Sequence, residues 1–299
     1  MKVLTEKTKS RILHFNIEQR TPAWFEIRVG KFTSSQIFKL FAQATKAART
    51  AAALKEVNRG GWLSEDTAAT SSEINFAAKQ LNILGGDLMK LKANVKAGTS
   101  SANTQKVFEF CSALKNVHCF SEGAKVHILE KASEFLFSSS EFKFANDAMQ
   151  WGLDHEQQAK EAYLDHTSFS GLDVGFVEFG NDTGSSPDLL VNEDGLAEFK
   201  CPNQINHLKN ILYIKTAEDL RRLSVQYWFQ CQHQIFCTGR PWCDFVSFHP
   251  DLITGPYSKL SLHIVRIEKD EEIQAKFKSI IPLAAKLRDK QTKEILSLL

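Results

Sequence analysis

The chain has no long hydrophobic run. None of its apolar stretches reaches the roughly 18 residues that a membrane-crossing helix requires. Its opening, MKVLTEKTKSRILHF, lacks the apolar core of a secretory signal, and Glu6 together with scarce serine argues against a transit peptide. These absences point to an intracellular protein with no membrane role, and they do not separate nucleus, cytoplasm and organelle. There is no CxxC pair. The six cysteines (Cys111, Cys119, Cys201, Cys231, Cys237 and Cys243) read as reduced, mostly buried thiols, and the 231, 237, 243 spacing is not a compact cluster-ligand pattern. Repeats and low-complexity tracts are lacking too.

What is present is an ordinary globular composition, 43% hydrophobic and 24% charged, with ample material for a core in one or two domains. The net charge of +2 hides an asymmetry. Residues 1–50 carry ten Lys/Arg against three Glu, a net of +7, which leaves −5 for the remainder. A basic segment of this kind suits a polyanion or a solvated surface.

Four regions follow one another. The first, up to Phe41, contains RTPAWFEIRVGKFTSSQIFKLF, in which Ser34 and Ser35 read as a helix N-cap before QIFKLF. The second, 42–146, is rich in Ala, Lys and Ser and reads as a helical insertion within a single domain spanning 1–299. Val107, Phe110, Cys111 and Leu114 share one helical face there, as do Val126, Leu129, Ala132 and Leu136, with Gly60-Gly61, Gly85-Gly86 and Ser138–Ser140 as punctuation. The third begins with a helix over 147–166. Strands follow at 174–179, 188–191 and 196–200, with Asp194-Gly195 as a hairpin turn signal. A helix around Leu220–Cys237 and strands at 244–250 and 260–269 come next, and an amphipathic helix over 271–299 closes the chain. This order predicts an α/β (α+β) fold with a central mixed sheet flanked by helices.

The stretch SSPDLLVNEDGLAEFKCP interrupts two apolar runs with charge. Strand alternation turns Glu198 and Lys200 one way and Ala197 and Phe199 the other, with Asp188 at the head of the partner strand. Two carboxylates brought together repel unless a cation intervenes, and hard oxygen ligands suit Mg²⁺ or Mn²⁺. A surface hairpin with an incidental ion pair has the same pattern. A further carboxylate, Glu156, lies on the stripe Ala148, Gly152, Glu156, Ala159, Tyr163 of the 147–166 helix, where it is expected to face the core and want a partner. His155 and His166 share a face of that helix and read as surface histidines.

SPDLL, a turn and AEFKCP resemble the PD-(D/E)xK motif as it occurs in lambda-type exonucleases and the YqaJ viral recombinase family. WFEIRVGKFTSS (24–35), AMQWGLDHEQQA (148–159) and VQYWFQCQHQIFCTG (225–239) resemble three further segments of that family in the same order, so the likeness covers about 24–41 and 147–290. The resemblance implies a restriction-endonuclease-like core and a Mg²⁺- or Mn²⁺-dependent 5′→3′ exonuclease for linear double-stranded DNA in recombination or repair, acting through two ions. It implies that Asp188, Glu198, the Phe199 carbonyl and Glu156 bind metal, that Lys200 positions the attacking water, and that Gln230 lines the site. Arg28, Thr33 and Ser35 are implied as the pocket for a 5′ phosphate, with Trp24, Gln232 and Tyr227 beside the substrate. Cys201 is expected to pack. A single-strand annealing protein is the implied partner, and related phage enzymes are trimeric. An endonuclease or structure-specific nuclease on the same fold, or an idle DNA-binding module, are the competing functions.

Overall fold

The computed structural model describes residues 11–59, 69–83, 102–116, 118–137 and 147–299. The glycine pairs at 60–61 and 85–86, the serines at 138–140 and the basic residues before Arg11 lie outside them. The chain divides into two compact units, residues up to Phe41 together with Val126–Leu299, and Ala42–Lys125.

Ala42–Lys125 is helical. Helices α2 (Lys46–Arg59), α3 (Ser71–Gln80) and α4 (Ala102–Asn116) close on Ala53, Val57, Ile74, Ala77, Val107, Phe108, Phe110 and Cys111. The expected stripe on α4 is core. Thr70 starts α3 with a reciprocal cap, its hydroxyl accepting from Glu73 N while the Glu73 carboxylate accepts from Thr70 N. On α5 (Glu122–Phe137) the residues removed from water are Ala124, His127, Ile128, Lys131, Ala132 and Glu134, so of the stripe expected there Ala132 is buried while Val126 and Leu129 are exposed.

The larger unit holds two mixed sheets rather than one. The first, in the order β1-β4-β5-β2, joins β1 (Arg11–His14), β4 (Phe176–Phe179), β5 (Thr183–Ser185) and β2 (Phe32–Thr33). The second, in the order β3-β6-β7-β8-β9, joins β3 (Gly171–Leu172), β6 (Leu189–Val191), β7 (Gly195–Lys200), β8 (Trp242–Phe248) and β9 (Leu262–Glu268). All seven residues of β8 are buried, as its near-continuous apolar run requires of a strand covered on both faces. β7 and β8 are parallel, so the chain must cross over between them. It does so through α7 (Gln204–Tyr213), α8 (Ala217–Leu223) and α9 (Val225–Thr238).

The expected single helix around 220–237 is thus two helices broken at Ser224, and α1 (Pro22–Arg28), α7 and β5 were not expected. No helix starts at Ser34-Ser35. A turn follows β2 and leads into a 3₁₀ segment, Ile37–Phe41. Helix α6 (Asp147–Thr167) covers β7, and α10 (Glu271–Leu296) is capped by Asp270, whose side chain accepts from Glu272 N and Ile273 N. α9 packs against strands of both sheets and is buried nearly all round. Its Gly239 cap sits at φ +78°, the left-handed conformation in which glycine ends helices.

Candidate active site

The β6–β7 hairpin carries the charged residues where the alternation puts them. Leu189 pairs with Ala197, and Ala197 and Phe199 face α6, joining Ala159, Tyr163 and Val246 in the core. Glu198 and Lys200 take the opposite face. Asp188 precedes β6, and its Oδ2 accepts from Phe199 N at 2.8 Å, which ties the carboxylate across the hairpin beside Glu198. Glu198 is 1% exposed, and both its oxygens are engaged. Gln230 Nε2 donates to Oε1 at 2.6 Å, Gln234 Nε2 donates to Oε2 at 2.5 Å, and the Lys200 ammonium contacts Oε1. The two glutamines lie one turn apart on α9, so one helical face presents both amides.

Burial, then the charges of Glu198 and Glu156, hold the Asp188 carboxyl well above the usual carboxylate range. For Lys200, burial pulls the ammonium down, but Glu198 and Asp188 outweigh it and hold it above its ordinary value. A buried and a half-buried carboxylate therefore share one ammonium, and the pair is short of positive charge.

Glu156, on α6, is half-buried and already partnered. Arg20 Nη2 donates to its Oε2 at 2.7 Å, and Lys160 Nζ lies 3.3 Å from its Oε1. Burial opposes ionisation there, yet Arg20 and Lys160 outweigh it and keep the Glu156 pKa low. On its stripe Ala159 and Tyr163 are core and Gly152 is half-buried, while the Ala148 side chain is outside the described set. Among the described residues no three His, Cys, Asp or Glu side chains are grouped closely enough to hold a metal ion. Asp188, half-buried, and Glu198, buried, form a pair on the hairpin, and Glu156, whose charge acts on Asp188, is engaged by Arg20 and Lys160.

A cavity of about 960 Å³ is lined by Glu156, Asp188, Glu198 and Lys200 and also by Trp24, Arg28, Thr33 and Ser35. Arg28 stacks over the Trp24 ring at 3.7 Å, its Nη1 donates to Ser186 Oγ at 3.1 Å, and its Nη2 lies 3.5 Å from Thr33 Oγ1. Trp24 Nε1 also donates to Ser186 Oγ, at 2.8 Å. With one face covered by Arg28, Trp24 serves as a shelf for the guanidinium. Burial pushes the Arg28 pKa down to about 10, partly offset by Glu134, and among the described residues Arg28 makes no ion pair. It is a half-buried cation facing a cavity. Ser35 is exposed at the rim, and Ser34 turns inward.

Ser34 reaches His233, a fully buried residue of α9, with 2.8 Å between Oγ and Nδ1. His233 Nε2 lies 2.9 Å from Thr183 Oγ1, which itself donates to Phe32 O at 2.6 Å. Because the Thr183 proton is spent on Phe32, the network requires Nε2–H and a Ser34 hydroxyl donating to Nδ1. α9 thus braces the hairpin carboxylate through its glutamines and the Arg28 side of the cavity through His233.

Tyr227 lines the cavity, stacks on Phe245 with 5.7 Å between centroids, and has the Lys200 ammonium 5.2 Å from its ring. Gln232 does not reach the cavity. It is buried, donating to Glu268 O at 2.7 Å and accepting from Asp270 N and Gln274 Nε2, so it bolts α9 to β9 and α10. The glutamine missed by sequence reasoning is Gln234, and the i, i+4 spacing from Gln230 was the available signal. Ser186 was missed too. Cys201 packs in the core, its thiol pushed up to about 12 chiefly by burial. All six cysteines are free, and all but Cys119 are buried.

Residues 96–241 match the YqaJ-like viral recombinase domain. The YqaJ-like stretch contains Glu156, Asp188, Glu198, Lys200, Gln230 and Gln234. It leaves out Trp24–Ser35 and begins earlier than residue 147, inside the region that the motifs had excluded. The whole architecture is similar to that of an alkaline exonuclease, LHK-Exo, from Laribacter hongkongensis, with 22% identity over 93% of this chain and 97% of that one and a TM-score of 0.57. LHK-Exo in complex with dAMP aligns with 21% identity over 92% and 96% of the two chains, also at 0.57. A phage-related exonuclease from Haemophilus somnus aligns over 58% of this chain and 85% of its own with 18% identity and a TM-score of 0.47. No curated protein matches the sequence. The YqaJ-like stretch thus holds the β6–β7 hairpin, α6 and α9.

Proposed function

We propose that this protein is a divalent-metal-dependent DNA exonuclease that degrades linear duplex from 5′-phosphorylated ends in the 5′→3′ direction, in recombination or repair. The observation that carries the reading is the Asp188–Glu198 pair with Lys200, sharing one cavity with Arg28, which makes no ion pair among the described residues. The fold similarity to alkaline exonucleases and the YqaJ-like match support it.

The donor set fits a hard divalent cation such as Mg²⁺ or Mn²⁺. Burial, and then its negative neighbours, hold the Asp188 carboxyl well above the usual range, a condition that a bound cation relieves. Asp188 and Glu198 are the ligands, with the Phe199 carbonyl beside them and Glu156 available to a second ion once its own partners release it. Bound there, such ions lower the pKa of water and neutralise charge on the scissile phosphate. The remaining work belongs to side chains. Lys200 stays protonated and directs an N–H at the water. Gln230 and Gln234 hold the Glu198 carboxylate in one orientation, and Tyr227 packs behind the ammonium. Arg28, with Thr33 and Ser35 at its rim, binds the terminal phosphate and so sets how far the strand enters.

The test is an end-labelled linear duplex with and without 5′ phosphate, in Mg²⁺ and in EDTA. Mononucleotide release from the phosphorylated linear substrate in Mg²⁺ alone is expected. Equal cutting of closed circles would replace this reading with an endonuclease. A single-strand annealing protein as partner and a homo-oligomer belong to the same proposal, and scattering from the assembled particle tests the latter.

A further inference from the structure

Arg20 occupies a backbone position suited to glycine. Its φ is +71°, in the left-handed region that β-carbons disfavour. Both neighbours clamp it there. Gln19 donates to Val174 O and Pro187 O, each at 3.1 Å, and the Thr21 hydroxyl donates to Glu18 O at 2.7 Å just before α1 begins. Strain held at such a point marks a site where side-chain placement matters. The guanidinium it delivers lines the cavity and bonds Glu156 at 2.7 Å.

Glu156 has two cationic partners of unequal freedom. The Lys160 side chain is 14% exposed and shared with Asp173 at 2.9 Å, whereas the Arg20 side chain is 46% exposed. Arg20 is the partner free to leave. The charges supply a reason to leave. Arg20 and Lys160 already neutralise Glu156, Lys160 being shared with Asp173. Divalent ions added to that set give an excess of positive charge, which is relieved when a cation turns from a carboxylate to an incoming phosphate.

We propose that Arg20 exchanges partners, neutralising Glu156 in the metal-free protein and turning to a backbone phosphate of the DNA strand when divalent ions and DNA enter the cavity. This rests on the nuclease reading above. Arg20 is a positioning residue for Glu156 in the first state and a substrate contact in the second.

Two variants of the full chain test it, Arg20→Ala, which keeps the strained backbone, and Arg20→Gly, which relaxes it. Calorimetric titration with Mn²⁺ in the absence of DNA is expected to show both binding the ion about two- to five-fold more tightly, the worth of a partly exposed ion pair that no longer competes. Fluorescence anisotropy of a labelled, 5′-phosphorylated duplex reads the other half. In Ca²⁺ both variants are expected to bind more weakly, with a salt slope smaller by about one. In EDTA their affinity should match the unmodified protein. Unchanged or weaker Mn²⁺ binding in both variants overturns the exchange, and so does an equal loss of DNA affinity in Ca²⁺ and EDTA. If the unmodified protein binds neither Mn²⁺ nor duplex, the nuclease reading falls as well. If it binds both and the variants behave like it, only the role of Arg20 is wrong.

Discussion

Gln232 and Gln234 are two residues apart on α9 and have opposite duties. Gln234 holds the Glu198 carboxylate, while Gln232 satisfies backbone groups at the end of β9 and the start of α10. Gln232→Ala strands those groups in the interior, so a loss of about 1–3 kcal/mol is expected in chemical denaturation, with unchanged turnover per folded molecule. Gln234→Ala releases one oxygen of Glu198 and should lower turnover more than stability, visible as a fall in kcat at matched folded concentration. Lys200→Ala is expected to reduce cleavage by about 10²–10⁴-fold, the usual span for a proton-handling or charge-stabilising side chain. DNA binding should persist, since that rests on backbone charge. Arg28→Ala should erase the preference for 5′-phosphorylated ends without abolishing cleavage, as read from rates on paired substrates. Arg20→Gly should leave the protein more stable than Arg20→Ala by about 1 kcal/mol, because glycine accepts φ +71° without penalty.

At the level of elements, the β6–β7 hairpin was readable, while of α9 the helix was readable and the face it turns to the site was not. Strand alternation is a local rule, so the facing of Asp188, Glu198 and Lys200 follows from spacing alone. Even here Gly195 has another reason than the turn. The left-handed turn residue is Asn192 at φ +46°, while Gly195 lies in β7 where a β-carbon would come within 1.9 Å of the Trp242 ring. On α9, both faces are buried, so hydrophobic periodicity does not single out the face that meets the site. Its His233 also carries a pH dependence. Burial pushes His233 down to about 3 and His127 down to about 4, so both are neutral in the fold at pH values where the unfolded chain is protonated. The unfolded state then binds more protons. Stability is complete above about pH 6.5 and falls on acidification toward pH 3–4, by about 1.4 kcal/mol per pH unit for each histidine. Denaturation midpoints between pH 7 and 5 check the slope, and His233→Gln should remove one proton from it.

Across the whole molecule, the site is assembled from segments far apart in sequence. Arg28 and Glu198 line one cavity though 170 positions lie between their numbers. A cation that binds the folded pair and not the unfolded chain stabilises the fold by mass action. Melting temperature is therefore expected to rise with Mn²⁺ concentration in the unmodified protein and to stay flat in Glu198→Gln. The expectation of one central sheet failed at this scale. Short strands such as β2 and β5, two and three residues long, carry too little pattern to be seen before their partners are known.

The sequence by itself determined the class of the fold, the hairpin and its charged face, and the helices on either side, because these follow from periodicities of two and 3.6 residues within short windows. Tertiary structure alone decided that Gln232 turns away from the site, that Trp24 carries Arg28, and that Arg20 holds Glu156. Those outcomes depend on the packing of elements distant in the chain, where a shift of one helical turn exchanges one side chain for another and no local pattern records the difference.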